Sequence, residues 1–284
     1  MIITRTPFRI SFFGGGTDYP VWYQDNGGVV LATTIDKYCY ISCRHLPPFF
    51  EYKHRIVYSR IENVHRVDEI EHPAVRAILS WADCDEGLEI HHDGDLPARS
   101  GLGSSSSFTV GLVQALAALE GQYTSKEELA RNAIHIEQHI IKEAVGSQDQ
   151  ISAAFGGFNR IEFMRNGTFH VSPIILARDR LHELQNHLML CFTGFSRIAS
   201  EVARSQIENV KSREVELKRM GEMVDKAIQV LQNTNSAIGE FGELLHQSWL
   251  CKRTLSDKVS TPEIDTIYEE AMGAGATGGK ILGA

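Results

Sequence analysis

The run with the clearest chemical potential is Pro97-Ala98-Arg99-Ser100-Gly101-Leu102-Gly103-Ser104-Ser105-Ser106-Ser107, followed at once by apolar residues at helical spacing. Glycines let a backbone turn tightly and approach a ligand, and the first turn of a helix has N–H groups free to meet an anion. Four successive hydroxyls add donors and an oxygen for a metal. One serine would serve as an ordinary helix cap, but four after Gly-Leu-Gly exceed that need. An exposed helix N-terminus contributes only about 0.3–1 kcal/mol per charge, so a triphosphate also requires the wrapped loop and a cation. The chain carries no Walker A loop: Gly279-Lys280 is followed by Ile281, and Ala274 stands where the first glycine is required. GxGxxG is not matched either. A phosphate loop of another kind is implied.

A carboxylate follows one helix later. Glu137 has Ala133, Ile134 and Ile141 one turn away, so it faces apolar neighbours at least in part. Burying it unpaired is strongly unfavourable, and Mg2+, which prefers oxygen ligands, is a natural partner. The alternative is an exposed glutamate paired with Lys142 or His139. Zinc chemistry fits less well. In His135-Ile136-Glu137-Gln138-His139 the glutamate is one position late for HExxH, and no Pro-Cys-x-x-Cys follows to complete a deaminase signature. His91-His92-Asp93 reads as a strand end. The basic stretch Tyr52-Lys53-His54-Arg55, with Arg60, is either a charged strand edge or a ligand site.

The elements that position these groups change character along the chain. Short β-branched and aromatic runs at 8–13, 28–35, 38–43, 55–58 and 88–91 predict strands. After Pro97 the period is helical: Phe108, Leu112, Ala115, Leu116 and Leu119 share a face, and Gly121 marks the stop. Ser125-Lys126-Glu127-Glu128 opens a second helix as a capping box, and this helix reads on to Gly146. Strands are predicted at 158–163, 168–175 and 188–192, then one long or two broken helices from Ile198 to about Leu231. The composition breaks near 176–187, which predicts a boundary between domains 1–180 and 181–284.

Composition bounds the class. With 284 residues, 43% hydrophobic, the chain can build a substantial core. A net charge of -8 argues against a general nucleic-acid binder, since backbone affinity needs clustered Lys and Arg. No run of eighteen apolar residues and no signal-peptide layout is present, so no membrane partner and a cytoplasmic location are expected. Cys39, Cys43, Cys84, Cys191 and Cys251 form no disulfide or metal framework. The oligomeric state is not legible, and a homodimer stays open.

Pro97 to Ser107 resembles the second signature of the GHMP kinases, Pro-x-x-x-Gly-Leu-Gly-Ser-Ser. Pro7-Phe8-Arg9-Ile10-Ser11-Phe12-Phe13-Gly14-Gly15-Gly16-Thr17-Asp18-Tyr19 is similar to the first, with Gly15-Gly16 where Glu-His is usual. Gly273 to Lys280 is similar to the third. The resemblance implies a two-domain α+β fold with a ferredoxin-like C-terminal domain, left incomplete where the chain stops at Ala284. It implies ATP bound by Pro97, Gly101, Leu102, Gly103 and Ser104, Ser105, Ser106 and Ser107. Mg2+ would be held by Ser105 and Glu137. Asp149 would be the catalytic base or orienter, with Arg9 beside it stabilising charge on the transferring group. Gly14, Gly15, Gly16, Thr17, Asp18 and Arg99 would bind the acceptor, Asp18 gripping sugar hydroxyls. The N-terminal stretch, with Pro47-Pro48-Phe49-Phe50 and His54 to Ser59, looks most like the D-glycero-D-manno-heptose 7-phosphate kinases. That implies transfer to the anomeric C1 hydroxyl of a sugar phosphate, with Lys53, Arg55, Arg60 and Arg99 as candidates for its distal phosphate. An L-fucose kinase or a non-catalytic GHMP-fold sugar sensor are the alternatives.

Overall fold

Antiparallel pairing of the two longest strands builds the frame, and the computed structural model describes residues 1–98, 100–194 and 199–283 around it. β1 (Ile2–Phe13) runs along β2 (Gly28–His45), from Ile2 opposite Cys43 to Phe13 opposite Leu31. β2 merges the two runs predicted separately and is long enough to serve two partners on its other edge. Its Cys39 to His45 half pairs with β5 (Leu88–Gly94), and its Gly28 to Thr33 half with β6 (Phe158–Phe163). β3 (His54–Val57) lies parallel to β5 with β4 (Ile61–Val64) outside it, while β7 (Phe169–Pro173) extends β6. The order is β4-β3-β5-β2-β6-β7, with β1 on β2.

Helices α1 (Pro20–Asn26), α2 (Pro73–Trp81), α3 (Ser104–Leu119), α4 (Lys126–His135) and α5 (Gln148–Phe155) intervene, and a π-helical turn, Ile136–Ile140, continues α4. The second half holds α6 (Arg178–Asn186), α7 (Ala199–Asn209), α8 (Glu214–Gln232), α9 (Gly239–Arg253) and α10 (Pro262–Gly273). One apolar cluster joins Phe8, Ile41 and Ile90 to Ile78 of α2 and Leu112 and Leu116 of α3. A second joins Phe13, Val30 and Leu31 to Met220 and Val224 of α8 and Phe241 of α9. This second cluster ties the sheet to the C-terminal helices. The position of the functional loop against α9 and the last residues depends on it.

Two expectations are corrected here, the strand at 188–192 and the helix reaching Gly146. Residues 188–192, expected as a strand, have no ladder partner among the described residues, and Met189 and Phe192 are 83% and 67% exposed. A strand needs a neighbour for its N–H and C=O groups, which an apolar run cannot supply by itself. Among the described residues of 181–284 all regular structure is helical. The helix read as reaching Gly146 ends near Ile140, because Lys142 takes φ +62 and turns the chain back. The stretch 176–187 folds as α6, whose Arg180 donates to the carbonyls of Val230, Leu231 and Ser236.

Candidate active site

At the end of β1, Gly14 takes φ +81 where a Cβ would stand 2.0 Å from the Val29 carbonyl, so only glycine makes the turn. The Thr17 hydroxyl pins this turn, donating to the Gly14 carbonyl at 2.8 Å and accepting from Val29 N–H at 3.0 Å. Gly14 and Thr17 therefore shape the backbone and face away from the cleft. Gly15, Gly16 and Asp18 line it. Asp18 is 2% exposed and accepts from Gly16 N–H at 2.9 Å and Gln148 N–H at 3.4 Å. Burial pushes its carboxyl above the usual range, the Gly16 bond opposes this, and the Asp149 charge adds to it.

The serine-rich loop enters α3 through two left-handed glycines, Gly101 at φ +78 and Gly103 at φ +76. A Cβ on Gly101 would lie 2.5 Å from the Leu282 carbonyl, and one on Gly103 would lie 3.1 Å from Arg9 Cγ. Both glycines thus admit neighbours that a side chain would exclude. Gly103 caps α3 with no side chain, leaving the N–H groups at the helix start to a ligand. Ser104, Ser105 and Ser106 line the cleft, whereas the Ser107 hydroxyl donates to the Pro7 carbonyl at 2.9 Å. Leu102 is buried in the core, and its carbonyl accepts from Arg9 N–H at 3.0 Å. Pro97 is exposed outside the cleft, and Arg99 lies outside the described residues.

Arg9 joins the two halves of the site. Its Nε and Nη2 donate to Asp149 Oδ1 and Oδ2 at 2.7 and 2.6 Å, and Nη1 donates to the Gly101 carbonyl at 2.6 Å. Asp149 stands in the first turn of its own helix, α5, and is not the tail of the preceding one. One guanidinium therefore fixes the distance between the carboxylate and the glycine loop.

Glu137 is fully buried on the π-helical turn, a distortion common at functional sites. Ser106 Oγ donates to its Oε2 at 2.9 Å, and the Gln150 amide donates to the same oxygen. The hydroxyl against Glu137 is thus that of Ser106. Ser105, one helical step of about 100° away, is exposed on the cleft side. Oε1 of Glu137 has no hydrogen-bond partner; the Thr109 hydroxyl is near but outside bonding geometry. Burial pushes the Glu137 carboxyl up to about 7, against the pull of the Thr109, Gln150 and Ser106 dipoles. A buried carboxylate with one unfilled oxygen suits a cation, so these residues fit Mg2+.

The cleft has a volume of about 340 Å³. It also admits Glu143, Lys252 and Lys280, which the reading of the sequence did not single out as ligands. Lys280 stood inside the quoted third signature, but the signal for Lys252 is absent from local sequence because α9 comes to the site only through tertiary packing. The distal-phosphate candidates Lys53, Arg55 and Arg60 do not line the cleft: Arg55 pairs with Glu89 at 3.7 Å, Arg60 pairs with Glu71 at 3.6 Å, and Lys53 is exposed. Arg55 on β3 meets Glu89 on the neighbouring β5, whereas Arg60 and Glu71 form an exposed pair outside the strands. The exposed His135 and His139 rings lie 5.4 Å apart at a 42° tilt, and among the described residues no group of three or more His, Cys, Asp or Glu could hold a metal. No helix of the described residues is long and apolar enough to cross a membrane.

Comparison with known proteins agrees with this geometry. Residues 68–157 match the description "GHMP kinases N terminal domain" and residues 226–284 match "GHMP kinases C terminal". A D-glycero-alpha-D-manno-heptose 7-phosphate kinase of Campylobacter jejuni is 30% identical, over 100% of this chain and 86% of its own length. A galactokinase of Pyrococcus furiosus is 24% identical over 100% of this chain and 86% of its own. The crystal structure of a D-glycero-D-manno-heptose 1-phosphate kinase from Bacteroides thetaiotaomicron superposes with a TM-score of 0.80 at 24% identity, covering 100% of this chain and 86% of that one. A left-handed glycine loop opening a helix, an Arg-bound aspartate beside it and matches to both halves of one family lead to a single statement: this chain belongs to the GHMP kinases.

Proposed function

We propose that the chain transfers the γ-phosphate of ATP to the anomeric C1 hydroxyl of D-glycero-D-manno-heptose 7-phosphate, in the cytoplasm, as a step toward GDP-heptose and surface glycans. The observation that carries this reading is the Arg9 bridge, with Asp149 on one side and Gly101 on the other. The heptose 7-phosphate activity of the Campylobacter relative supports the choice of acceptor. Arrangement matters most in phosphoryl transfer, where alignment of acceptor and phosphate can supply roughly 7–11 kcal/mol.

In this mechanism the N–H groups of Ser104 to Ser106 and the hydroxyls of Ser104 and Ser105 bind the nucleotide phosphates, the Ser106 hydroxyl being engaged with Glu137. Asp149, oriented by Arg9, accepts the hydrogen bond of the C1 hydroxyl and takes its proton as the new P–O bond forms and the bond from Pγ to the β–γ bridging oxygen breaks, releasing ADP. Asp18 accepts from ring hydroxyls, and Gly15 and Gly16 leave room for the sugar. Glu137 with the Ser106 hydroxyl would hold Mg2+, Ser105 remaining within the same turn, and the ion would supply charge neutralisation for the transferring phosphate.

The placement of Asp18 gives one test of the acceptor side. A Cβ at position 146 would fall 1.8 Å from Asp18 Oδ2. Gly146→Ala is therefore expected to displace that carboxylate and raise KM for the sugar by about tenfold or more, the worth of one charge-assisted hydrogen bond, with KM for ATP little changed. Steady-state kinetics with each substrate varied in turn checks it.

Product analysis tests the reaction itself. Phosphorus NMR of the mixture of heptose 7-phosphate, ATP and protein is expected to show a second phosphomonoester coupled to the anomeric proton. Transfer to L-fucose in preference would replace the acceptor. Binding of sugar and ATP with no transfer to any sugar would make the protein a sensor.

A further inference from the structure

We propose that Gln150 is a positioning residue for the reaction: its side-chain amide sets the orientation of the Glu137 carboxylate, and with it the place of the cation, relative to Asp149. This role rests on Mg2+ being held at Glu137, as proposed above. Gln150 is fully buried and does not border the cleft, so it is not a group that touches substrate. Its Nε2 donates instead to Oε2 of Glu137, the oxygen that also accepts from Ser106 Oγ at 2.9 Å. A carbonyl turned the same way would meet the carboxylate lone pair to lone pair, so the nitrogen is the end that faces Glu137.

Two donors on one oxygen decide what the other oxygen is for. The last torsion of a glutamate is broad and roughly two-fold, so a single bond from Ser106 would let the carboxylate swing or exchange its oxygens. Ser106 approaches from α3 and Gln150 from α5, and together they pin Oε2. Oε1, without a hydrogen-bond partner among the described residues, is the oxygen left for a cation. A neutral amide also suits this task better than a lysine or arginine would, because it fixes the carboxylate without competing with the ion for its charge.

The same amide ties the metal side of the site to the base. Asp149 precedes Gln150 in the first turn of α5, about 100° round the helix, so adjacent positions send the base toward Arg9 and the cleft and the amide into the interior. The contacts close a ring. It runs from Gly101 to Arg9, from Arg9 to Asp149, along α5 to Gln150, on to Glu137, and through Ser106 back to the start of α3. Removing Gln150 leaves every other member of that ring present but releases Glu137 from the helix that carries Asp149.

Gln150→Met keeps the length of the side chain and removes the donor. Mg2+ titrated calorimetrically into the complex with the non-hydrolysable ATP analogue AMPPNP is expected to bind about 10- to 100-fold more weakly than in the wild type, the range for one hydrogen bond to a charged group. KM for the sugar should change little. If Gln150 served packing alone, Q150M would unfold at lower urea while the folded protein kept wild-type Mg2+ affinity, and that result would overturn the role. E137Q is the control for the metal site itself. With Mg2+ weakened by E137Q but not by Q150M, only the role of Gln150 falls; with Mg2+ weakened by neither, the site at Glu137 falls as well. Because Gln150 acts through Glu137, the double variant is expected to bind Mg2+ no more weakly than E137Q alone, and additive losses would refute that route. Should Q150M not fold, the side-chain amide protons of Gln150 in the wild-type protein decide: slow exchange with solvent and a shift when Mg2+ and AMPPNP bind are expected, and rapid exchange with no shift refutes the proposal.

Discussion

Replacing Asp149 by asparagine is expected to lower kcat about 10³-fold while ADP affinity stays close to that of the wild type. Asparagine keeps the size of aspartate but offers one acceptor oxygen where there were two. Its amide would face Arg9 donors that now bond a carboxylate at 2.6 and 2.7 Å, so one guanidinium N–H loses its partner. The acceptor hydroxyl loses both a proton acceptor and its alignment. The nucleotide side is touched less, because Arg9 Nη1 still holds the Gly101 carbonyl. Rapid-quench single turnover, which isolates chemistry from product release, with ADP calorimetry alongside, measures both. A kcat within tenfold of wild type would remove Asp149 from the reaction.

Removing the charge of Glu137 has the second large effect, and it has opposite signs on activity and on stability. The folded carboxyl titrates at about 7 and the free side chain at 4.5, so between these values the folded, metal-free protein holds more protons than the unfolded chain. Stability of the metal-free protein therefore falls as pH rises through that window, by a total on the order of 3 kcal/mol. Glu137→Gln has no such loss. Metal-free E137Q is expected to be more stable than wild type at about pH 8 and to differ less at about pH 5. Urea unfolding at the two values checks this. Because Mg2+ binds the ionised carboxylate, it should stabilise the wild type more at the higher pH and E137Q at neither, and the variant's kinase activity should fall by orders of magnitude. A variant less stable at high pH would refute the picture of a strained buried carboxylate.

What could be read from the sequence was largely what is local. Gly101, Gly103 and the serines announced an anion site because turn geometry and a free helix start are properties of adjacent residues. The strands were recognisable in kind, though the two runs within β2 read as two strands until Phe13 to Ile2 paired along all of it. The Arg9–Asp149 contact spans 140 positions, and only resemblance to a family could bring its partners together beforehand. Choice between neighbours was harder. Ser105 and Ser106 differ by one helical step, and only the packed helix shows which hydroxyl turns toward Glu137. The helix expected to run on to Gly146 stops early for a specific reason: apolar spacing continues while Lys142 takes a left-handed turn that its residue type does not signal. Lys252 was invisible because a lysine in the last turn of a helix has an ordinary explanation there.

Cocrystallisation with Mg2+, AMPPNP and heptose 7-phosphate probes the central claim most directly. The account predicts nucleotide phosphates on the N–H groups of Ser104 to Ser106 and the C1 hydroxyl about 3 Å from an Asp149 oxygen. A nucleotide bound away from the start of α3, or a sugar whose hydroxyls all stand beyond reach of Asp149, would contradict it.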